Sequence, residues 1–441
     1  MKKLKVGVFG AGRGADLAQN FMMLGCDIVA LCDYNPSRVA EGQKLVGTSV
    51  AVYDDFDAFI RHKMDAVIIA NDFHDHASYV IKCFEQGIHV FCECISNGTM
   101  AEGVALIRAF EKSNVIYMMA ENYPQMIFNR EAKRVCDSGT LGKILYAESE
   151  YNHPGDPFDV WFKKTYACHR KHWRNFLPGT YYITHSLGPV MWVTGATPKR
   201  VTAFASFAPN TDENVPVSKH CGDMAALIMT QNDDGSIFRV TGCAAFGGHH
   251  NAYRFCGTKG QIENLRGMGD QVMLRYNGWQ IPEGAQEVQL YEPSWNDKDE
   301  ALIKQAGHGG ADYLTVRMFC ECVSEGRQPE HPFDIYSAVN MSSVALLSHR
   351  SVLEGACLTI FPTSIWRKGA SNTKTTICPP STAKTEASPR CLAAPIPIMR
   401  PPKSSRNSTT GSSRANKQNK PISETKWVCC LIYSAAIFLA T

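Results

Sequence analysis

The stretch KVGVFGAGRGA, from Lys5 to Ala15, limits what this chain can fold into more than any other. An apolar run suited to a buried strand enters a glycine-rich turn and leaves it as an amphipathic pattern, ADLAQNFMMLG. A strand followed by a helix pairs with the next strand in parallel, through a crossover. The unit recurs. IVALCD, DAVIIAND and IHVFCEC are further strand-like runs, a helical pattern spans about His76 to Gln86, another follows Thr99, and VIYMMAEN closes the series. Residues 1–122 are therefore predicted to form an N-terminal α/β domain of the Rossmann type, a doubly wound parallel sheet.

The chain's 441 residues leave room for a second domain, and its grain differs. KILYAESEYNH, RVTAFASFAP, AALIMTQ, IFRVTGCAAF and QVMLRYNGWQ read as strands, with Asp233-Asp-Gly-Ser236 as a hairpin turn. ADYLTVRMFCECVSEG and DIYSAVNMSSVALLSHRSVLEG read as amphipathic helices. Residues 123–360 are predicted to form an α+β substrate-binding domain with an open, mostly antiparallel sheet. Beyond residue 360 the texture changes: residues 361–441 hold twelve Lys and Arg against Glu386 and Glu424, and 361–426 are rich in Ser, Thr and Pro. Such a segment cannot assemble a core and is read as disordered. Its apolar end, WVCCLIYSAAIFLAT, is shorter than the ~20 residues that span a bilayer.

The remaining body carries a mildly acidic balance, which excludes a nucleic-acid footprint. The 17 cysteines lie scattered through apolar segments and the chain opens without a secretory segment, so the thiols are read as reduced and the protein as cytoplasmic.

In the turn, Gly10 permits the tight bend, Gly12 lets backbone approach a pyrophosphate, and Ala15 is small enough to replace the third glycine at the helix–strand contact. The helix N-terminus after Arg13 offers amide donors to phosphate. Asp33 ends the second strand, where a carboxylate accepts hydrogen bonds from both ribose hydroxyls and repels a 2′-phosphate; the cofactor expected is NAD. At Cys92-Glu93-Cys94 the two thiols are ~6.5–7 Å apart along a strand, too far for a relaxed disulfide, and no further spaced ligands complete a metal site.

GAGRGA, Asp33, VIIAND followed by His76, GIHVFCE, AEN at 120–122 and RFCGTKGQIEN together resemble the Gfo/Idh/MocA oxidoreductases over residues 1–360. The resemblance implies a dinucleotide domain followed by an open-sheet substrate domain, and action on sugars or inositols. It also implies that Arg13, Asn71, His76, Glu93 and Asn122 join Gly10, Gly12, Gly14 and Asp33 around the cofactor. Many members have Glu-Lys-Pro where this chain has Glu93-Cys94-Ile95, and Asp-x-x-x-His where it has Tyr181-x-x-x-His185. Two usual proton-handling groups are absent. The pattern Tyr182-Ile-Thr-His185-Ser-Leu-Gly188-Pro189-Val190 instead resembles the NAD-dependent glycoside hydrolases of the α-N-acetylgalactosaminidase type.

That narrower resemblance implies Tyr182 and His185 as the catalytic pair and Glu93 and Tyr123 as sugar contacts. His308 in Gly307-His-Gly-Gly-Ala-Asp312 closes the site. In HRKHWRNFLPG, Trp173 offers an aromatic platform and Arg174 a cation, with a solvated basic loop as the alternative. Cys92 and Cys94 are read as filler thiols. The implied reaction oxidises the sugar at C3, eliminates the glycosidic group after loss of the C2 proton, adds water and reverses the oxidation. A sugar or cyclitol dehydrogenase with an altered proton relay and a non-catalytic nicotinamide-binding protein are the alternatives. A homo-oligomer is expected. Relatives finish the last helix with an Ile-Pro-Asp-Phe type strand, whereas LTI here runs into FPTSIWRKG. Codons shifted by one base permit Pro-Asp-Phe at 362–364, so the tail is read as a frameshift product.

Overall fold

The computed structural model describes residues 3–153, 173, 177–207, 223–244 and 248–361. The tail, with its expected disorder and frameshift, lies outside the described residues, as do His172 and Arg174. Met1–Lys374 form one compact unit built on two sheets.

The first is six-stranded and parallel, β1 (Lys5–Phe9), β2 (Asp27–Cys32), β3 (Ala51–Tyr53), β4 (Ala66–Ile69), β5 (His89–Cys92) and β6 (Tyr117–Met119), in the order β3-β2-β1-β4-β5-β6. Val6, Val8, Ile68, Val90 and Phe91 are fully buried, as strands covered on both faces require. Helix α1 (Arg13–Met23) follows β1 directly. The helix expected from His76 spans Ala77–Glu85, and the one after Thr99 spans Met100–Phe110, opened by a capping box between Thr99 and Glu102.

The second sheet has nine strands: β7 (Ile144–Asn152), β8 (Pro198–Phe207), β9 (Asp223–Asn232), β10 (Ile237–Ala244), β11 (His250–Gly257), β12 (Gly260–Asn264), β13 (Val272–Tyr276), β14 (Val288–Tyr291) and β15 (Thr359–Ile360). Their order is β14-β13-β12-β11-β7-β10-β9-β8-β15, antiparallel except for β7 with β10. The β9–β10 hairpin turns at Gly235 as the DDGS stretch requires. Helix Thr184–Thr194 packs against this sheet and is buried on every side, so its sequence shows no amphipathic stripe. Helices Ala311–Glu325 and Ile335–Leu353 complete the cover. Among the described residues no helix is long and apolar enough to cross a membrane.

Candidate active site

Two clusters meet near the carboxyl ends of β1, β4 and β5, and each is built around a buried acid.

The first centres on Glu121, which lies just past β6 and is fully buried. His185, near the start of helix Thr184–Thr194, places Nδ1 at 2.8 Å from its Oε1 and 3.0 Å from its Oε2. The Tyr123 amide donates to Oε1 at 3.1 Å, and the Cys94 thiol donates to Oε2 at 3.2 Å. A carboxylate so surrounded is an acceptor only, so His185 carries its proton on Nδ1 and presents an Nε2 lone pair. That lone pair faces the Tyr182 hydroxyl at 2.6 Å. The result is a chain, Tyr182 to His185 to Glu121, in which Tyr182 is half-buried and the others are buried. Burial works to raise the Glu121 carboxyl, but the electrostatic attraction and hydrogen bond of His185 outweigh it and hold the group below the ordinary carboxylate range.

The walls fix this geometry. Tyr123 stacks face-on against the His185 ring at 3.8 Å, and Tyr151 meets it edge-on at 4.8 Å. The Tyr253 hydroxyl donates to the His185 carbonyl at 2.6 Å. Gly188 is needed because a Cβ there would lie 2.8 Å from Cγ of Glu121. Trp173 stacks on Phe73 at 4.4 Å and stands edge-on to Tyr182 at 5.9 Å, forming an aromatic wall beside the phenol.

Tyr182 belongs to the turn before the helix that begins at Thr184, so it and His185 are joined in series by their hydrogen bond. Cys94 is no filler, because its thiol binds Glu121, whereas Cys92 is buried with its thiol on the Glu93 carbonyl at 3.3 Å. Glu121 itself escaped the sequence reading, although AEN at 120–122 contains it.

The second cluster centres on Asp312, at the start of helix Ala311–Glu325. Arg13 donates to it from Nη1 at 2.9 Å and Nη2 at 2.6 Å, and from Nε to Glu93 Oε1 at 2.9 Å. Asn122 Nδ2 at 2.7 Å and His308 Nδ1 at 3.0 Å also meet Asp312. The buried position works to raise the Asp312 carboxyl, but His308 and Arg13 hold it far below the ordinary range. Glu93 thus turns its carboxylate to Arg13 and to the Cys94 amide at 3.0 Å. His308 lies 6.1 Å, ring to ring, from Tyr123, so the two clusters touch.

The crevice beside them fits a dinucleotide. Gly10 has φ +94° and a Cβ there would lie 2.2 Å from the Ala70 carbonyl, so only glycine permits this turn. At Gly12 a Cβ would meet nothing nearer than the flexible head of Arg38 at 3.5 Å, which leaves the backbone open to a ligand. Asp33 accepts from the Ala11 and Asn35 amides at 2.9 and 2.8 Å, locking the turn while keeping carboxylate lone pairs. Asn71 Oδ1 and His76 Nε2 are buried without a hydrogen-bond partner. His76 is itself 1 % exposed, tied through Nδ1 to the Ile95 carbonyl at 2.7 Å.

Residues 4–121 match the oxidoreductase family with an NAD-binding Rossmann fold, and residues 134–368 match the C-terminal domain of glycosyl hydrolase 109. The glycosyl hydrolase family 109 protein 1 of Bacteroides fragilis is 25% identical over 389 residues, covering 79% of this chain and 82% of that protein. Protein 2 of the same family from Akkermansia muciniphila is 26% identical over 401 residues, covering 81% of each. Among solved structures, levoglucosan dehydrogenase in complex with NADH and levoglucosan has a TM-score of 0.66 at 17% identity, covering 82% of this chain and 100% of that one. The myo-inositol 2-dehydrogenase of Lactobacillus plantarum has a TM-score of 0.60 at 18% identity, with the same coverage. At such identities these structures speak for the fold.

Proposed function

Because the chain belongs to the glycosyl hydrolase 109 family, joined to an NAD-binding oxidoreductase domain, we propose that it cleaves glycosides by a redox-assisted route in which Tyr182, His185 and Glu121 move the protons. The protein is an NAD-dependent sugar-acting enzyme of the Gfo/Idh/MocA type. Bound NAD supplies the reversible oxidation of a ring carbinol to a ketone, which acidifies the neighbouring C–H. Gly10, Gly12 and Gly14 would cradle the pyrophosphate, Asp33 the ribose, and Asn71 would border the crevice.

This chain's residues supply the rest. With Glu121 anionic and Nδ1 protonated, His185 can take the proton of Tyr182, and the phenolate so formed is the base at the mouth of the site. On the return step the same unit gives the proton back. A base of this kind needs no lysine, and position 94 carries a thiol turned inward to Glu121. Trp173 and Tyr123 supply aromatic walls suited to the apolar face of a sugar ring, and Glu93 and His308 border the site from the side of Asp312. The observation that carries the reading is the unbroken Tyr182–His185–Glu121 chain.

The test is incubation with aryl glycosides in D₂O. Aglycone release without NADH accumulation, with deuterium at C2 of the product sugar, is expected. NADH formed one-for-one with sugar and no aglycone release would replace the reading with a dehydrogenase.

We also infer a homo-oligomer. Phe204, Leu227, Met229 and Ile237 lie on one face of β8, β9 and β10, with Phe204 paired across to Leu227, and are 69, 45, 46 and 40 % exposed. A contiguous apolar strip of this kind calls for a partner, here a second copy of the sheet. The eleven described cysteines are all free thiols, which suits a reducing compartment, the cytoplasm.

A further inference from the structure

Arg13 closes a bridge across the crevice in which a dinucleotide has to lie. In the first sheet β4 stands between β1 and β5. The turn after β1 carries Arg13, and the chain leaving β5 carries Glu93, whose amide donates to the Ile69 carbonyl at the end of β4 at 2.8 Å. The Arg13–Glu93 ion pair, 2.9 Å long, therefore spans the carboxyl end of β4. This is the switch point between β1 and β4, the place where doubly wound sheets hold dinucleotides. Asp312 approaches from the helix Ala311–Glu325 and takes the other two guanidinium nitrogens as a bidentate pair at 2.9 and 2.6 Å.

The Asp312 end is built to stay in place. Its side chain is 3 % exposed, and Asn122 and His308 occupy its remaining acceptor sites. Gly309 and Gly310 have φ +60° and +97°, a backbone that brings the loop around the carboxylate. The three described side-chain hydrogen bonds of Arg13, one from each guanidinium nitrogen, thus go to two acids from different parts of the fold, one 80 and one 299 positions away in sequence.

We propose that the Arg13–Asp312 pair is a clasp that retains NAD. It joins the cofactor turn to the substrate-side helix over the crevice, so a bound dinucleotide leaves only when the pair parts. Both members stay charged throughout the working pH range, because a guanidinium does not deprotonate and Asp312 is stabilised as an anion. Opening is then a rotation of Arg13, and not a titration. Retention suits a reaction that restores the cofactor in each turnover. The clasp rests on the dinucleotide reading and is independent of whether a glycoside is cleaved.

The test is the dissociation rate of NADH from the full chain, followed by fluorescence after mixing with excess NAD. Asp312→Asn and Arg13→Lys are compared with the wild type, and melting of the cofactor-free proteins confirms that each is folded. Both variants should release NADH at least about tenfold faster, with association rates changed by less than about threefold. Arg13→Lys keeps a charge but loses the bidentate fork, so it decides the matter if Asp312→Asn fails to fold. An unchanged rate in a folded variant overturns the clasp. So does slower release or tighter binding, which would show that Asp312 keeps Arg13 away from the phosphates. Failure of the wild type to bind NADH would overturn the dinucleotide reading itself, a result separable from either.

Discussion

Glu121 and Asp312 are both buried carboxylates crowded by donors and held below the ordinary carboxylate pKa range. What distinguishes them is the partner. Glu121 faces an imidazole, a group able to accept or release a proton, and beyond that imidazole stands a phenol. Asp312 faces a guanidinium, which cannot. Two nodes made from the same anion therefore differ in kind: one has partners that can pass a proton, the other only partners that tie parts of the molecule together. The family resemblance places lysine at position 94 in ordinary dehydrogenases. Here that position supports the first node through the Cys94 thiol on Glu121, and the proposed base is Tyr182.

The comparison breaks most readily at the relay. Tyr182→Phe and His185→Gln should each lower turnover by ~10²–10⁴-fold, the usual worth of a positioned acid or base. NAD affinity, measured by fluorescence titration, should stay within about threefold. A variant that lost cofactor and turnover together would show that the two nodes are not separable. Glu121→Gln sharpens the contrast. A carboxamide can turn its NH₂ toward Nδ1 and reverse the imidazole tautomer, so Nε2 would donate toward Tyr182 and no longer accept its proton. A loss of about 10²-fold or more is expected, with the protein still folded by circular dichroism.

Asp33 is a third carboxylate and has a different environment again, with two backbone amides as its hydrogen-bond partners among the described residues. Its remaining lone pairs are suited to ribose hydroxyls and its charge opposes an extra phosphate. NAD should bind at least about tenfold more tightly than NADP, about 1.4 kcal/mol. Equal affinities would show that Arg38, whose head lies near Gly12, offsets the acid.

These three acids also mark what could be read from the sequence. Asp33, Gly10 and Gly12 were legible because strand, turn and helix follow one another within a few residues, and the backbone itself demands those residue types. The alternation of strands and helices gave the first sheet, and the DDGS turn gave the β9–β10 hairpin. The parallel pairing of β7 with β10 could not be read, since 84 residues of chain separate Asn152 from Ile237 and no local signal records which edges meet. Glu121 was hidden for the same reason: its partner His185 lies 64 positions away, and a buried acid looks like any other acid until its partner is known. Cys94 looked like filler because a thiol is counted among the apolar residues unless an acceptor is seen beside it.

Sheet association offers a smaller effect, outside both nodes. Leu227→Asp, in the middle of the exposed apolar strip, should shift the protein toward monomer in light scattering while leaving NAD binding intact. An unchanged assembly would move the interface elsewhere, without touching the relay or the clasp.

The smallest effect concerns Cys94. Its thiol is one of the donors that stabilise the Glu121 anion, and burial pushes the thiol far above its ordinary value, so it remains S–H and keeps donating. Cys94→Ala removes that donor, and the Glu121 carboxyl should then rise toward, without reaching, its ordinary value. The groups that face this site are His185, Tyr182, Tyr123, Tyr151 and Tyr253, with Glu93 next in the chain. A carboxyl held below its unfolded value of ~4.3 stabilises the fold fully above that pH, and the contribution disappears as pH falls through the lowered folded value. The alanine variant should therefore melt at lower temperature than the wild type at neutral pH. Its acid transition and the acid limb of its turnover should lie at higher pH, since protonating Glu121 removes the acceptor that orients His185. Turnover at neutral pH should fall by no more than about tenfold, because His185 and the Tyr123 amide still fix the carboxylate. Cys94→Ser, which restores an O–H donor, should recover most of the acid limb. If Ala and Ser behave alike, the thiol only fills space, and the difference between the two nodes rests on His185 and Arg13 alone.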